Sequence, residues 1–476
     1  MENDWAREGF DPRIEDPSKL PNASRRTFIG NLAKNASIGT ALLVMGRESS
    51  ATQVDDLFSM PKGGNPNDEE YWERIKDQFL VREGLTYLNS GSKGPSPRNV
   101  YQAHAESLEV VSSEIQHISN HYFSSDYARS LTNETRGKLA AFVGAKPNEI
   151  AFTNNTTEGM IFGIMGIDLK RHDQVLYTNH DHPFGCNPIL SRAARDDLDV
   201  GMIDLSDARF HPPSSPAALL EKVDSALTSR TKLLCFCHIN YTDGCIMPVK
   251  EICELARSKG IVTLVDGAQA PGMLAIDLND LGCDMYAGAC HKWLLAGMAT
   301  GFLFVREDFQ DQVSPVLYTG PTNGQTMHGP ESDAAKARRL RNNAGASVFE
   351  LRGSGDFASR VSINAALDFH NHITRKSVET RIRYMAGRLI RGLRDLDGVQ
   401  VYVSEDPRLS CGLVSFSIDA VPTARVNADL WANNGLWIRS VTHNEIGWDA
   451  NRASVHLMAT VADVDRLIDA VGGLVA

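Results

Sequence analysis

The sequence predicts an α/β fold: a large domain with a mostly parallel sheet, then a smaller C-terminal α+β domain. Three observations carry the prediction. Short runs of Val, Ile, Leu and Phe recur with helix-length segments between them. The runs are apolar almost throughout rather than alternating, as strands covered on both faces are. From about Arg381 the pattern changes to a long amphipathic helix followed by separate strands. With 476 residues the chain can hold two such units, each with its own core.

Residues 1–51 read as an export leader. Ser24-Arg25-Arg26-Thr27-Phe28-Ile29 resembles a twin-arginine signal, the stretch to Met45 is apolar but broken by Asn31, Lys34 and Asn35, and Ser49-Ser50-Ala51 offers small residues for cleavage. A segment so short and so interrupted does not span a bilayer stably. No lipid-attachment cysteine follows it, so the expectation is a soluble periplasmic protein moved by the twin-arginine export machinery. Residues 52–86 read as a linker and N-terminal arm, with Pro61 to Asp68 (PKGGNPND) a flexible connection. The large domain follows over 87–380, with strands expected at Glu149–Thr153, Gln174–Thr178, Lys232–His238, Ile261–Val265, Met285–Ala287 and Gly301–Val305. The small domain covers 381–476, with strands near Val399–Val403 and Cys411–Ile418 and a final helix through Val464.

Composition narrows the function. A net charge of -11 argues against nucleic acid as a partner, because phosphate backbones recruit clustered Lys and Arg, so a small molecule is expected instead. Eight cysteines are scattered singly through apolar segments, with no CxxC pair and no disulfide framework, and read as reduced core thiols. Gly353-Ser354-Gly355-Asp356 lacks the glycine spacing of a dinucleotide fingerprint, so no nicotinamide cofactor is expected. His180-Asp181-His182 lacks the further ligands a metal site requires, and no metal is expected.

Three segments carry chemistry. Ile150 to Thr153 reads as a strand, and Asn155-Thr156-Thr157-Glu158-Gly159 opens the helix after it. Backbone N–H groups at a helix start, with the Thr156 and Thr157 hydroxyls beside them, bind a phosphate dianion. Asp266 ends the apolar strand Ile261 to Val265, where a buried carboxylate can hold a proton on a pyridine nitrogen. Lys292 sits among Ala, Cys, Trp and Leu, so its ammonium form is poorly hydrated and its amine is free to condense with an aldehyde.

Taken together, Val265-Asp266-Gly267-Ala268-Gln269, Tyr286 to Trp293 (YAGACHKW) and the TTEG string resemble the cofactor core of the class V aminotransferase family, fold type I enzymes that use pyridoxal 5′-phosphate (PLP). The resemblance runs from about Tyr87 to the C-terminus and is nearest the isopenicillin N epimerase-like and cysteine desulfurase-like branch, through DGAQAPG and HKW. It implies a fold type I PLP-dependent transferase architecture and further site residues. His182 stacks against the cofactor ring, His180 is a solvated neighbour, and Gln269 hydrogen-bonds the ring hydroxyl. Thr156, Thr157 and His291 hold the phosphate. Ser354, in Phe349 to Asp356, reaches the phosphate of a neighbouring subunit, which implies a homodimer. Arg452 first and Arg439 second would grip the substrate carboxylate, and Asn89 in YLNSGSKGP would line the same pocket.

Two departures limit the resemblance. Asn444 stands five residues after Arg439, where cysteine desulfurases carry a catalytic cysteine, and Ala289 stands where many relatives place a phosphate-binding Ser or Thr. The implied activity is chemistry at the Cα of an amino acid or amino-acid-derived metabolite: epimerisation, transamination, or carbon–sulfur lyase chemistry by loss of a β-substituent. His443 and Tyr241 are the candidate acids on the face opposite Lys292. An exported family member that modifies pyoverdine-type siderophore side chains makes a peptide-derived substrate an alternative. A noncatalytic PLP-binding protein is the competing class, against which the set Lys292, Asp266 and His182 argues.

Overall fold

The computed structural model describes residues 57–113, 126–205, 215–316, 345–350 and 356–475. The expected leader, residues 1–51, and Ser354 lie outside them. Strands run in chain order as β1 (Thr86–Tyr87), β2 (Ile150–Thr153), β3 (Gln174–Thr178), β4 (Asp199–Ile203), β5 (Thr231–Cys237), β6 (Val262–Gly267), β7 (Met285–Ala289) and β8 (Gly301–Val305). The C-terminal part adds β9 (Val399–Val401), β10 (Leu413–Ile418), β11 (Leu436–Trp437), β12 (Arg439–His443) and β13 (Trp448–Ser454). Seven strands form the large sheet in the order β2-β8-β7-β6-β5-β3-β4. Neighbours from β4 to β7 pair in parallel, and β8 runs antiparallel to both β7 and β2.

Burial explains which strands the sequence announces. β6 and β7 are apolar and buried along nearly their whole length because helices cover both faces, and separate apolar cores fill the two sides of the sheet. β4 lies at one edge and, unlike β2 at the other, is partly exposed, with Val200 and Met202 exposed and Gly201 between them, so it has no continuous apolar signal. The expected small domain is an antiparallel sheet in the order β12-β13-β10-β9, packed with the helices Arg375–Arg394, Thr423–Asn434 and Val461–Val475 around its own core.

The segment Pro61 to Asp68 is held in place rather than free, unlike the flexible connection its composition suggests. Its backbone carbonyls find donors: Trp72 Nε1 reaches Asn65 O at 2.8 Å and Arg381 Nη1 reaches Pro66 O at 2.7 Å. Asp68 then caps the helix Glu69–Lys76. Gly and Pro encode turns here, and the turns are packed against a neighbour the local sequence does not reveal.

The helix Thr156–Gly166 crosses the sheet beneath β6, β7 and β8, and glycines on its inner face let it approach closely. A Cβ on Gly159 would lie 2.8 Å from Ala287 Cβ of β7, and one on Gly163 would lie 2.8 Å from Leu264 of β6. That approach fixes the N-terminal end of the helix beside the tips of the parallel strands. Replacing Gly159 by Val is expected to overpack this contact and cost about 1–3 kcal/mol. A urea titration checks it, and an unchanged midpoint would show that the helix does not press on the sheet there.

Candidate active site

A cavity of about 360 Å³ opens at the carboxyl ends of the parallel strands, where the turns after β2, β3, β5, β6 and β7 meet β12 and β13 of the small domain. Open α/β sheets bind ligands at this edge because every strand delivers a loop there. Lys292, Asp266, His182, Thr156, Thr157, Gln269, His291, Arg439 and Arg452 all line it.

Lys292 follows β7 in a turn fastened from several sides. Gly94 N donates to His291 O at 2.9 Å, and a Cβ on Gly94 would fall 1.9 Å from Lys292 O, so only glycine lets the two segments touch. Trp293 is buried and donates from Nε1 to Gln269 Oε1 at 2.7 Å, while His456 Nε2 lies 2.8 Å from Trp293 O. Gly272, at φ 89, packs against the backbone of Trp293 and Leu294. With its backbone so held, the Lys292 side chain lines the cavity. Burial pushes its ammonium down to about 8, against the attraction of Asp266.

Asp266 ends β6 opposite Cys237 of β5. Its Oδ1 accepts from Ala268 N at 2.9 Å, and its Oδ2 lies 3.0 Å from where a Cβ on Gly185 would stand. Burial raises its pKa, and the Ala268 N–H and the Lys292 charge oppose the rise. Asp181 clamps the neighbouring strand tips by accepting from Thr178 N and Cys237 N, each at 2.6 Å. His182 comes next and caps the helix Pro183–Asp196, its Nδ1 accepting from Phe184 N at 3.2 Å. Burial first, then Lys292 and both cavity arginines, push its pKa down to about 3, so the ring is neutral. It meets Tyr241 edge-on at 4.7 Å.

Several expectations change. His180 is not solvated: it is buried, with Nδ1 2.6 Å from Thr242 Oγ1 and its ring edge-on to Trp448. Asn89 does not line the cavity; it accepts from Ser92 Oγ at 2.8 Å, and Ser92 Oγ in turn accepts from Arg439 Nη1 at 3.0 Å. Gln269 faces the cavity with its amide engaged on both sides, by Trp293 and through Nε2 to Gly91 O at 3.0 Å. Of the two candidate opposite-face acids, Tyr241 lines the cavity, and His443 stands behind it with ring centroids 6.0 Å apart.

The anion end is built from Asn155, which caps the helix by accepting from Glu158 N at 2.9 Å, and from Thr156 and Thr157. Thr156 Oγ1 is buried with no hydrogen-bond partner, a cost that an anion accepting from it would remove. An orphaned hydroxyl at a helix start, a desolvated amine and a buried carboxylate suit a flat, aldehyde-bearing phosphate ester such as PLP. At the other wall Arg452 is 2 % exposed, gives one hydrogen bond to Tyr241 O and leaves Nε without a partner. Burial, then the neighbouring Arg439 charge, push its pKa down to about 9. Gly91, Ser92, Phe184, Gly185, Cys237 and Ile239 also line the cavity and were not singled out from the sequence. Gly91 lies inside the YLNSGSKGP string and Gly185 three residues after His182, so motif adjacency was the signal available.

A family model described as aminotransferase class V matches residues 86–467. Isopenicillin N epimerase of Streptomyces clavuligerus is 28% identical over 417 residues, which covers 85% of this chain and 98% of that protein. A probable cysteine desulfurase of Methanothermobacter thermautotrophicus is 26% identical over 403 residues, covering 82% of this chain and 95% of that one. Among solved structures, the apo cysteine desulfurase of Thermococcus onnurineus NA1 superposes with a TM-score of 0.74 at 22% identity, over 87% of this chain and 99% of its own. A lysine-to-alanine variant of C-DES, with glycine covalently linked to its PLP cofactor, gives 0.71 at 23% identity, over 83% and 98%. The lowered Lys292 pKa carries its own expectation. Below pH 8 the amine is protonated and unreactive, so its rate of capture by a small aldehyde should rise with pH and level off above about 8. Mass spectrometry of the reduced adduct at Lys292 tracks this, and a midpoint near 10.5 would mean that the amine is solvated.

Proposed function

Because the chain belongs to the aminotransferase class V family, we propose that it is a PLP-dependent enzyme acting at the Cα of an amino acid or amino-acid-derived metabolite, by epimerase or aminotransferase chemistry. The observation that carries this reading is the pairing of a desolvated Lys292 with a buried Asp266 in one cavity that also holds an orphaned Thr156 hydroxyl. PLP, when bound, supplies an electron sink for bonds to the substrate Cα.

The residues then divide the work. Thr156, Thr157 and the helix start bind the phosphate, with His291 beside them and Ser354 reaching from a second subunit of a homodimer. Asp266 holds a proton at the ring nitrogen. Lys292 takes the proton from the substrate Cα. His182, neutral, covers the ring face, and the Arg452 guanidinium grips the substrate carboxylate and orients the Cα–H bond. Tyr241, on the cavity wall, is the candidate acid for the opposite face.

The desulfurase route finds less support here. Asn444 occupies the position of the catalytic cysteine, and the thiol on the cavity wall, Cys237, is pushed well above the usual thiol range by burial, so it supplies no thiolate. Carbon–sulfur lyase chemistry that needs no protein thiol remains the second reading.

The Ser24 to Ile29 string supports export of the folded, cofactor-loaded protein to the periplasm by the twin-arginine route, where a peptide-derived acceptor of the siderophore type would meet it. Changing Arg25 and Arg26 together to Lys should leave the protein in the cytoplasm. Fractionation checks this, and unchanged periplasmic recovery would refute the signal.

The purified protein should carry a visible absorbance band, borohydride should fix the cofactor to Lys292, and Lys292→Ala should abolish that covalent link and lower turnover by roughly 10³-fold or more. Incubation with amino acids in deuterated water separates the reactions. Deuterium at Cα with inversion marks an epimerase, a keto acid an aminotransferase, and pyruvate a lyase. Cofactor still fixed to the polypeptide by borohydride in Lys292→Ala would overturn the assignment.

A further inference from the structure

Arg439 and Arg452 are direct partners in the antiparallel pair β12 and β13, and both side chains line the cavity. Like charges directly opposite on one sheet face repel. Here the cost is greater, because Arg452 is 2 % exposed and an uncompensated buried cation is expensive. Among the described residues no carboxylate pairs with either arginine. Arg439 donates to Ser92 Oγ, Arg452 donates to Tyr241 O, and both acceptors are neutral. Among the described residues Asp266 is the only acid on the cavity wall, and it faces Lys292. Two guanidiniums are thus held side by side with spare donors, including the orphaned Nε of Arg452, and nothing in the described chain offsets them.

We infer that the pair is offset by the substrate, and that this enzyme takes an amino acid bearing a second acidic group, its α-carboxylate on Arg452 and its side-chain carboxylate on Arg439. The inference rests on the proposed function and adds the substrate class. The two arginines differ in depth, one fully buried and one exposed at the mouth, so they distinguish the two ends of a dicarboxylate. A neutral amide in place of the second acid would leave Arg439 unmatched.

The test uses the holoenzyme and the shift of its visible band on titration with L-aspartate, L-glutamate and L-2-aminoadipate, against L-asparagine and L-glutamine. At least one acid should bind roughly 10-fold or more tightly than its amide, the range expected for a charge-assisted hydrogen bond. Arg439→Gln should bring that ratio close to 1. Wild-type protein that binds acids no better than amides overturns the inference, as does a preference that survives in Arg439→Gln. Those outcomes leave the cofactor reading intact. A wild-type protein in which borohydride fixes no cofactor to Lys292 contradicts the cofactor reading and removes this inference with it.

Discussion

Removing an ammonium and a carboxylate from water side by side is the constraint around which this molecule is arranged. Each ion alone would lose several kcal/mol of hydration, and mutual attraction returns only part of that. Lys292 responds by shifting toward the neutral amine and Asp266 by shifting upward. The fold supports the arrangement by fixing the backbone: the adjacent strands β6 and β7 deliver Asp266 near the end of one and Lys292 in the turn after the other, and Gly94, Gly272, Trp293 and His456 close around the lysine turn. Burial thereby frees the amine from about pH 8 upward.

Much of the site was legible because its motifs sit at strand ends, where periodicity stops and a functional residue begins. Asp266 after an apolar strand and Thr156 at a helix start announce themselves by position as well as by type. The rest was hidden for identifiable reasons. His180 and His182 belong to one polar triplet, and only tertiary packing turns His180 inward to Thr242 and Trp448. β13 reads WDANRAS, too polar for a predicted buried strand, because Asn451, Arg452 and Ser454 are buried polar residues, one of them on the cavity wall. A functional strand breaks the apolar rule that reveals structural ones. Asn89 was placed too close to the chemistry because its influence passes through the Ser92 hydroxyl, a link that spacing does not encode.

The large sheet and the small domain contribute unlike things. The sheet tips bring the amine, the carboxylate and the anion end; the small domain brings cations on β12 and β13. Tyr241, after β5, touches both sets, since its carbonyl accepts from Arg452 and its ring meets His182. A shift of the small domain would therefore be felt at the His182 ring as well as at the arginine wall.

The short strap at residues 86–94 is pinned at both ends by distant chain. β1 pairs with β11, Leu88 O accepts from Ser454 N at 2.7 Å, and Gly94 meets His291. These are contacts of high sequence separation, the kind that form late and slowly. A nascent chain has its strap long before it has residue 454, so during synthesis the cavity wall stays unfinished until β13 has left the ribosome.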